Sequence, residues 1–346
     1  MPLPTRKIGQ TDVTAIGYGA MGISVFYGTP KTDEEGMKAS IFRPILILDA
    51  VYESGCTNWD TADAYGNNED IIGKWFKKTG KRNGVFLATK FGFAHGIKDK
   101  FVHAPPEYVP KALEKSLARL GVESIDLWYL HRADPTVPIE LTVKAMAEQV
   151  KAGKVKYLGL SEVSAETLRR AHAVHPISAI QVEYSPFALD VEDEQVGLFK
   201  AARELGVAIV AYSPVGRGLL TGQITSRADL DEGDRRRILP RFSDENFPKI
   251  LKLVDGVKAI ATKYNAKPGQ VALAWLLAQG DDVIPIPGTT KVENLKENLA
   301  SFDLKLGAED IAEIRRIAEA ADKTLGPRYY EAGMQLLFGD TPALNA

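Results

Sequence analysis

The chain predicts an α/β fold: a (β/α)₈ barrel with an N-terminal β-hairpin and long loops at the C-terminal face of the strands. Three observations predict it. Short apolar runs recur along the chain, and nearly every run ends in a polar residue at its C-terminal edge. Helical stretches alternate with them, which argues for a parallel sheet. Eight runs can be counted, near residues 17, 58, 87, 128, 158, 180, 210 and 285, and that count favours a closed barrel over an open sheet. Parallel strands covered on both faces read as apolar runs of this kind.

The elements follow in order. Leu3 to Ile8 and Val13 to Ile16 flank the turn-rich Gly9-Gln10-Thr11-Asp12, so the start reads as a hairpin. The first barrel strand follows near Ile16 to Gly19. Later runs end in Lys90, His131, Ser161, Glu183 and Tyr184, Ser213, and Gly288 and Thr289. Helices are expected over Glu69–Lys78, Glu107–Leu120, Ile139–Ala152, Ala165–Ala173, Asp193–Leu205, Phe247–Lys263 and Val292–Ser301. Ser164 is a good N-cap, and Gly121, Gly153 and Gly206 each follow a helical run where a left-handed residue ends it. Pro44 interrupts the first helical region, so residues 36–48 read as an insertion with no assigned role. Two long connections, Phe91 to Pro106 and Ser213 to Asn246, follow strands, where substrate or cofactor contacts concentrate. One domain spanning 1–346 is expected, its barrel core at about 15–302 and a C-terminal helix and tail over 303–346.

Composition narrows the function. The chain is 45% hydrophobic and 25% charged, as ordinary globular proteins are. Lys and Arg number 43 against 45 Asp and Glu, and no long basic stretch offers a nucleic-acid footprint. The dense Arg235-Arg236-Arg237 cluster follows Asp229, Asp231, Glu232 and Asp234 and reads as a solvated loop. Cys56 is the only cysteine, so no disulfide within the chain is available, and a buried thiol is expected. No signal peptide or bilayer-length apolar run is apparent, so no membrane association and a cytoplasmic location are expected. His95, His103, His172 and His175 lack metal-ligand spacing, and no metal is expected.

Gly17-Tyr18-Gly19-Ala20-Met21-Gly22 matches the dinucleotide fingerprint G-x-G-x-x-G, but its context fails. That motif needs a helix opening at its last glycine and an acidic residue about 20 positions on. Here a loop follows Gly22. The glycines can instead let a ligand approach the backbone at the first strand's exit.

The sharpest local signal is Gly55-Cys56-Thr57-Asn58-Trp59-Asp60-Thr61-Ala62-Asp63-Ala64-Tyr65-Gly66, a carboxylate at a strand end followed closely by a phenol. With Lys90 and His131 at the next two strand ends, four groups face one mouth: Asp60, Tyr65, Lys90 and His131. Singly each has a bland reading as a cap, a solvated lysine or a structural histidine. Their order at successive strand ends favours catalysis.

In these residues the chain resembles the aldo-keto reductase family, and within it a microbial branch with oxidoreductase and pyridoxal-reductase-like members. Gly159-Leu160-Ser161, Gln181-Val182-Glu183-Tyr184, Tyr212-Ser213-Pro214 and Pro285-Ile286-Pro287-Gly288-Thr289 with Glu297-Asn298 extend the resemblance over roughly residues 1 to 320. It implies a TIM barrel that binds NADPH (NADP+), ahead of NADH, and reduces aldehydes or ketones to alcohols. Reduction delivers a hydride to carbon and a proton to oxygen. Tyr65 is assigned as general acid. Lys90 is expected to lower its pKa, Asp60 to hold Lys90, and His131 to orient the substrate oxygen.

Cofactor contacts follow from the resemblance. Gly19, Ala20 and Met21 line the first strand's exit. Ser161 and Gln181 are expected at the nicotinamide carboxamide, with Glu162 where the family often has Asn. Tyr212 is expected to stack on the ring, and Ser213, Pro214, Val215, Gly216, Arg217 and Gly218 to wrap the pyrophosphate. Gly288, Thr289, Lys291 and Asn294 lie where the 2′-phosphate is read, and Asn294 stands where the family usually has arginine. Glu297 and Asn298 would face the adenine. The alternative is a non-catalytic NADPH-binding barrel, acting as a redox sensor or channel-associated regulatory subunit. Phe26, Tyr27, Phe93, Phe101 and Phe242 in the loops suggest a small apolar or aromatic aldehyde as substrate. Oligomeric state and the direction of reaction in vivo are not set by these residues.

Overall fold

The computed structural model describes residues 2–24, 34–94, 96 and 100–344, with residues 34–43 described by their backbone. The hairpin forms as β1 (Thr5–Ile8) and β2 (Thr11–Thr14), paired antiparallel with Ile8 opposite Thr11. The turn is therefore the two residues Gly9-Gln10, tighter than the four expected. Gly9 is left-handed (φ +56), and a Cβ there would lie 2.5 Å from the Tyr157 ring. Ile8 and Val13 pack with Phe86, Leu127, Ala208 and Ile284, residues near the N-terminal ends of the strands. The hairpin thus plugs the barrel floor.

Eight parallel strands follow: β3 (Tyr18–Gly19), β4 (Asn58–Asp60), β5 (Phe86–Phe91), β6 (Ile125–Leu130), β7 (Val155–Ser161), β8 (Ile177–Glu183), β9 (Ala208–Tyr212) and β10 (Val283–Pro285). Each hydrogen-bonds the next in chain order. The sheet closes on itself where the Gly17 N–H donates to the Pro285 carbonyl (2.9 Å) and the Gly19 N–H to that of Pro287 (3.2 Å). Close packing against the strands on either side explains the glycines here. A Cβ on Gly17 would meet Asn58 at 2.8 Å, and one on Gly19 would meet the Ile286 carbonyl at 2.6 Å. Gly22 sits in a 3₁₀ turn, Ala20–Ile23, and opens no α-helix.

The helices are α1 (Glu34–Glu53), α2 (Asn68–Thr79), α3 (Val109–Leu120), α4 (Ile139–Lys151), α5 (Ala165–Val174), α6 (Leu198–Glu204), α7 (Phe247–Lys263), α8 (Pro268–Leu277), α9 (Val292–Leu299), α10 (Ala308–Leu325) and α11 (Glu331–Met334). Helix α1 runs through Pro44, where an interruption was expected. Beyond Pro44 it buries Ile47, Leu48 and Val51 against the core. Helix α6 starts five residues late, because Asp190–Glu192 is a 3₁₀ turn and Gly197 is left-handed. Ser164 caps α5 by accepting the Thr167 N–H, and Gly121 ends α3 at φ +64.

Two features shape the mouth. The connection from Ser213 to Asn246 is a chain of 3₁₀ turns. Its arginine cluster is not simply solvated: Arg236 pairs with the buried Asp234 at 2.6 Å and donates to the Arg217 carbonyl at 2.8 Å. The tail beyond α10 returns across the barrel, where Gly339 bonds Glu162 and Ser164 through their backbones. No helix among the described residues is long and apolar enough to cross a membrane.

Candidate active site

The strand ends bring Asp60, Lys90 and His131 to one face, as their places at the ends of β4, β5 and β6 require. Lys90 is fully buried, and its Nζ donates to Asp60 Oδ1 (2.5 Å) and to the Thr61 carbonyl (2.7 Å). Gln181 Nε2 donates to the other carboxylate oxygen of Asp60 at 2.8 Å. An ammonium buried this deeply survives only if paired and hydrogen-bonded. Lys90 also hydrogen-bonds the Tyr65 side chain, and its Nζ lies 5.1 Å from that ring's centroid. The Tyr65 and His131 rings meet edge-on, with centroids 5.8 Å apart. All four predicted residues therefore form one cluster.

Its electrostatics differ from the sequence expectation in one respect. Burial raises the Tyr65 pKa, and Lys90 lowers it by less, so the phenol ends above its ordinary value. Lys90 acts with the expected sign, but desolvation outweighs it. Burial lowers the Lys90 pKa, while Asp60 and Tyr65 raise it by more. Tyr65 is thus held as the neutral phenol and Lys90 as the cation.

The residues expected around the cofactor divide into groups. Gly19, Ala20 and Met21 lead from β3 into the 3₁₀ turn beside the last strand. Ser161 lies at the end of β7 and accepts from Arg132 Nη1 at 3.1 Å. Gln181 is turned to Asp60. Glu162 is left-handed (φ +51) and buried, and its carboxylate accepts from the Tyr212 hydroxyl (2.8 Å), the Glu183 N–H (3.1 Å) and Arg328 Nη1 (3.3 Å). Its oxygens are thus engaged within the protein.

In the loop after β9, Ser213, Gly216, Arg217 and Gly218 all have positive φ, so Pro214 and Val215 sit in a tightly wound segment. The Gly216 and Gly218 amides donate to Ser213 and Val215 carbonyls within this loop. Arg217 grips Glu183 with two hydrogen bonds (2.8 and 3.1 Å) and donates to the Tyr329 hydroxyl at 2.5 Å. At the far end, Gly288 is exposed, and Thr289 Oγ1 accepts the Lys291 N–H at 3.0 Å. Lys291 is exposed at the N-terminus of α9, with Asn294, Glu297 and Asn298 half-buried along that helix.

Sequence reasoning missed three participants. Arg132 sits directly behind His131 in the mouth. Arg328, buried at 3% exposure, reaches Glu162 and Glu183, and Tyr329 reaches Arg217. The tail pairings join residues more than a hundred positions apart and leave no local pattern. Of the loop aromatics, Phe93 packs on His131 (centroids 4.6 Å apart). Phe101 is exposed and Phe242 is buried against Phe187. Phe26 and Tyr27 lie outside the described residues.

Comparison with known proteins shows the family. The model of the aldo/keto reductase family matches residues 15–319. The chain is 54% identical to the aldo-keto reductase str7 of Strobilurus tenacellus, over 99% of both chains. It is 47% identical to an aldo-keto reductase of Schizosaccharomyces pombe named with NADP(+), again over 99% of both. The solved structure of a glycerol dehydrogenase from Gluconobacter oxydans superposes with a TM-score of 0.80 at 27% identity, covering 93% of this chain and 97% of that one. The protein belongs to the aldo/keto reductase family, a family of carbonyl-reducing oxidoreductases.

Proposed function

We propose that this protein reduces aldehydes or ketones to alcohols with NADPH, and that Tyr65 is the general acid. The observation that carries the reading is the buried chain Gln181–Asp60–Lys90–Tyr65, which ends beside His131 at the barrel mouth. A chain of this kind is costly to bury and serves no packing purpose.

The residues present fit NADPH. Lys291 is exposed at the N-cap of α9, with no carboxylate paired to it among the described residues, so it can meet a 2′-phosphate. The wound segment from Ser213 to Gly218 suits the pyrophosphate, with Gly19, Ala20 and Met21 opposite. Tyr212, Ser161 and Gln181 border the place for the nicotinamide. Glu297 and Asn298 would flank the adenine, with Gly288, Thr289 and Asn294 between. When bound, the cofactor supplies the hydride.

The protein's own residues manage the proton. Asp60 and Gln181 fix Lys90 in place and keep it charged. Lys90 holds the Tyr65 hydroxyl and stabilises the phenolate that forms as the proton leaves. His131, edge-on to Tyr65, can donate to the carbonyl oxygen and direct it to the phenol. Phe93, packed on His131, gives the pocket an aromatic wall that suits an apolar or aromatic aldehyde. The test is turnover: the purified protein should consume NADPH only when an aldehyde such as benzaldehyde is added. Tight NADPH binding with no turnover of any aldehyde or ketone would favour a binding barrel without catalysis.

A further inference from the structure

Among the described residues, the cations packed around the strand ends pair with carboxylates, with one exception. Lys90 has Asp60, Arg217 has Glu183, and Arg328 has Glu162, Glu183 and Asp190. Arg132 has no carboxylate partner among the described residues. Its hydrogen bonds there both leave from Nη1, to the His131 carbonyl (2.7 Å) and to Ser161 Oγ (3.1 Å). Those two bonds fix the guanidinium, and its Nε and Nη2 donors are left over. The side chain is half-buried, its guanidinium carbon 6.0 Å from the Phe93 ring, which itself rests on His131. The cation is held close to the proton-donating pair, and its unspent donors are what an arriving anion would meet.

We propose that Arg132 recognises a carboxylate on the substrate, so that the preferred substrates are carbonyl compounds bearing a carboxylate near the carbonyl. The inference rests on the reduction reading above and narrows its substrate class. The planar fork of a guanidinium matches a carboxylate, and its unspent Nε and Nη2 are neighbouring donors able to make the paired bonds. The Phe93 wall between the carbonyl position and Arg132 accommodates an aryl or short alkyl spacer. A carboxylate so bound lies beside His131 and so fixes which face and end of the carbonyl compound meets Tyr65.

The experiment compares 3-carboxybenzaldehyde with its methyl ester, and succinic semialdehyde with butanal, each with NADPH. A hydrogen-bonded charge pair should make kcat/KM for each acid at least about tenfold higher than for its neutral partner. In Arg132→Gln that ratio should fall to about one, and Arg132→Lys should keep part of it, because a point charge remains without the fork. The ratio is insensitive to any effect of Arg132 on cofactor affinity, since all the substrates share one cofactor. A wild-type ratio near one, or a ratio unchanged in Arg132→Gln, overturns the proposal while leaving reduction standing. Failure of wild-type protein with bound NADPH to reduce any of the four compounds removes the reduction reading and this proposal with it.

Discussion

Replacing Glu183 by Gln tests how the mouth is held together. Glu183 is 2% exposed and accepts two bonds from Arg217, with Arg328 Nη1 at 3.3 Å. Burial pushes its pKa up, but Arg217 and Arg328 outweigh that and hold it down at about 2, against 4.5 for a free side chain. The difference is worth about 3 kcal/mol at about 1.4 kcal/mol per pKa unit. Because the folded pKa is lowered, this stability is present above the unfolded pKa and is lost as pH falls toward the folded one. Linkage leaves roughly half of it at about pH 3. Glu183→Gln should therefore lower unfolding free energy by about 3 kcal/mol at neutral pH, and the gap should shrink to about half near pH 3. Urea unfolding at several pH values reads both numbers. A gap that is the same at neutral and acid pH would refute the claim that an ionised Glu183 braces the two arginines.

Two further outcomes are expected. Lys90→Met should cut kcat by at least about 10²-fold, the low end of what a positioned acid contributes. Since Lys90 lowers the Tyr65 pKa, its loss should move the alkaline fall of the reduction rate to higher pH, as a pH–rate profile would reveal; an unchanged rate and profile would contradict the role given to Lys90. Wild-type protein should bind NADPH at least about tenfold more tightly than NADH. Lys291→Ala should weaken NADPH far more than NADH and flatten the salt dependence of NADPH binding, measured by fluorescence titration. Equal affinities for the two cofactors in the wild type would make this a dual-cofactor protein, with Asn294 in place of arginine as the reason.

The strands were legible because burial on both faces imposes apolar runs, and the polar group ending each run stands at the mouth for the same geometric reason. That is why Asp60, Lys90 and His131 could be read in order. Helix α8 was not among the expected helices. Its stretch Pro268–Leu277 is buried nearly all round, with Pro268, Gln270 and Leu277 half-exposed, so no polar face marks a helical period. Pro44 misled because a proline usually breaks or kinks a helix interior, whereas packing of Ile47, Leu48 and Val51 carries α1 past it. The crowding of Gly17 by Asn58 and of Gly19 by the Ile286 carbonyl comes from strands brought together by the closed sheet and left no local pattern. The Tyr65 pKa needed the depth of burial, which outweighs the neighbouring cation. Arg328 and Tyr329 are brought to Glu162 and Arg217 by the path of the tail alone.

The central claim is that Tyr65 donates the proton. Tyr65→Phe keeps the ring that meets His131 and removes only the hydroxyl that Lys90 holds. Aldehyde reduction by this variant, measured beside its NADPH affinity, is the most direct test. The expected result is a fall in kcat of about 10²-fold or more with NADPH affinity nearly unchanged. Near wild-type turnover in Tyr65→Phe would contradict the account.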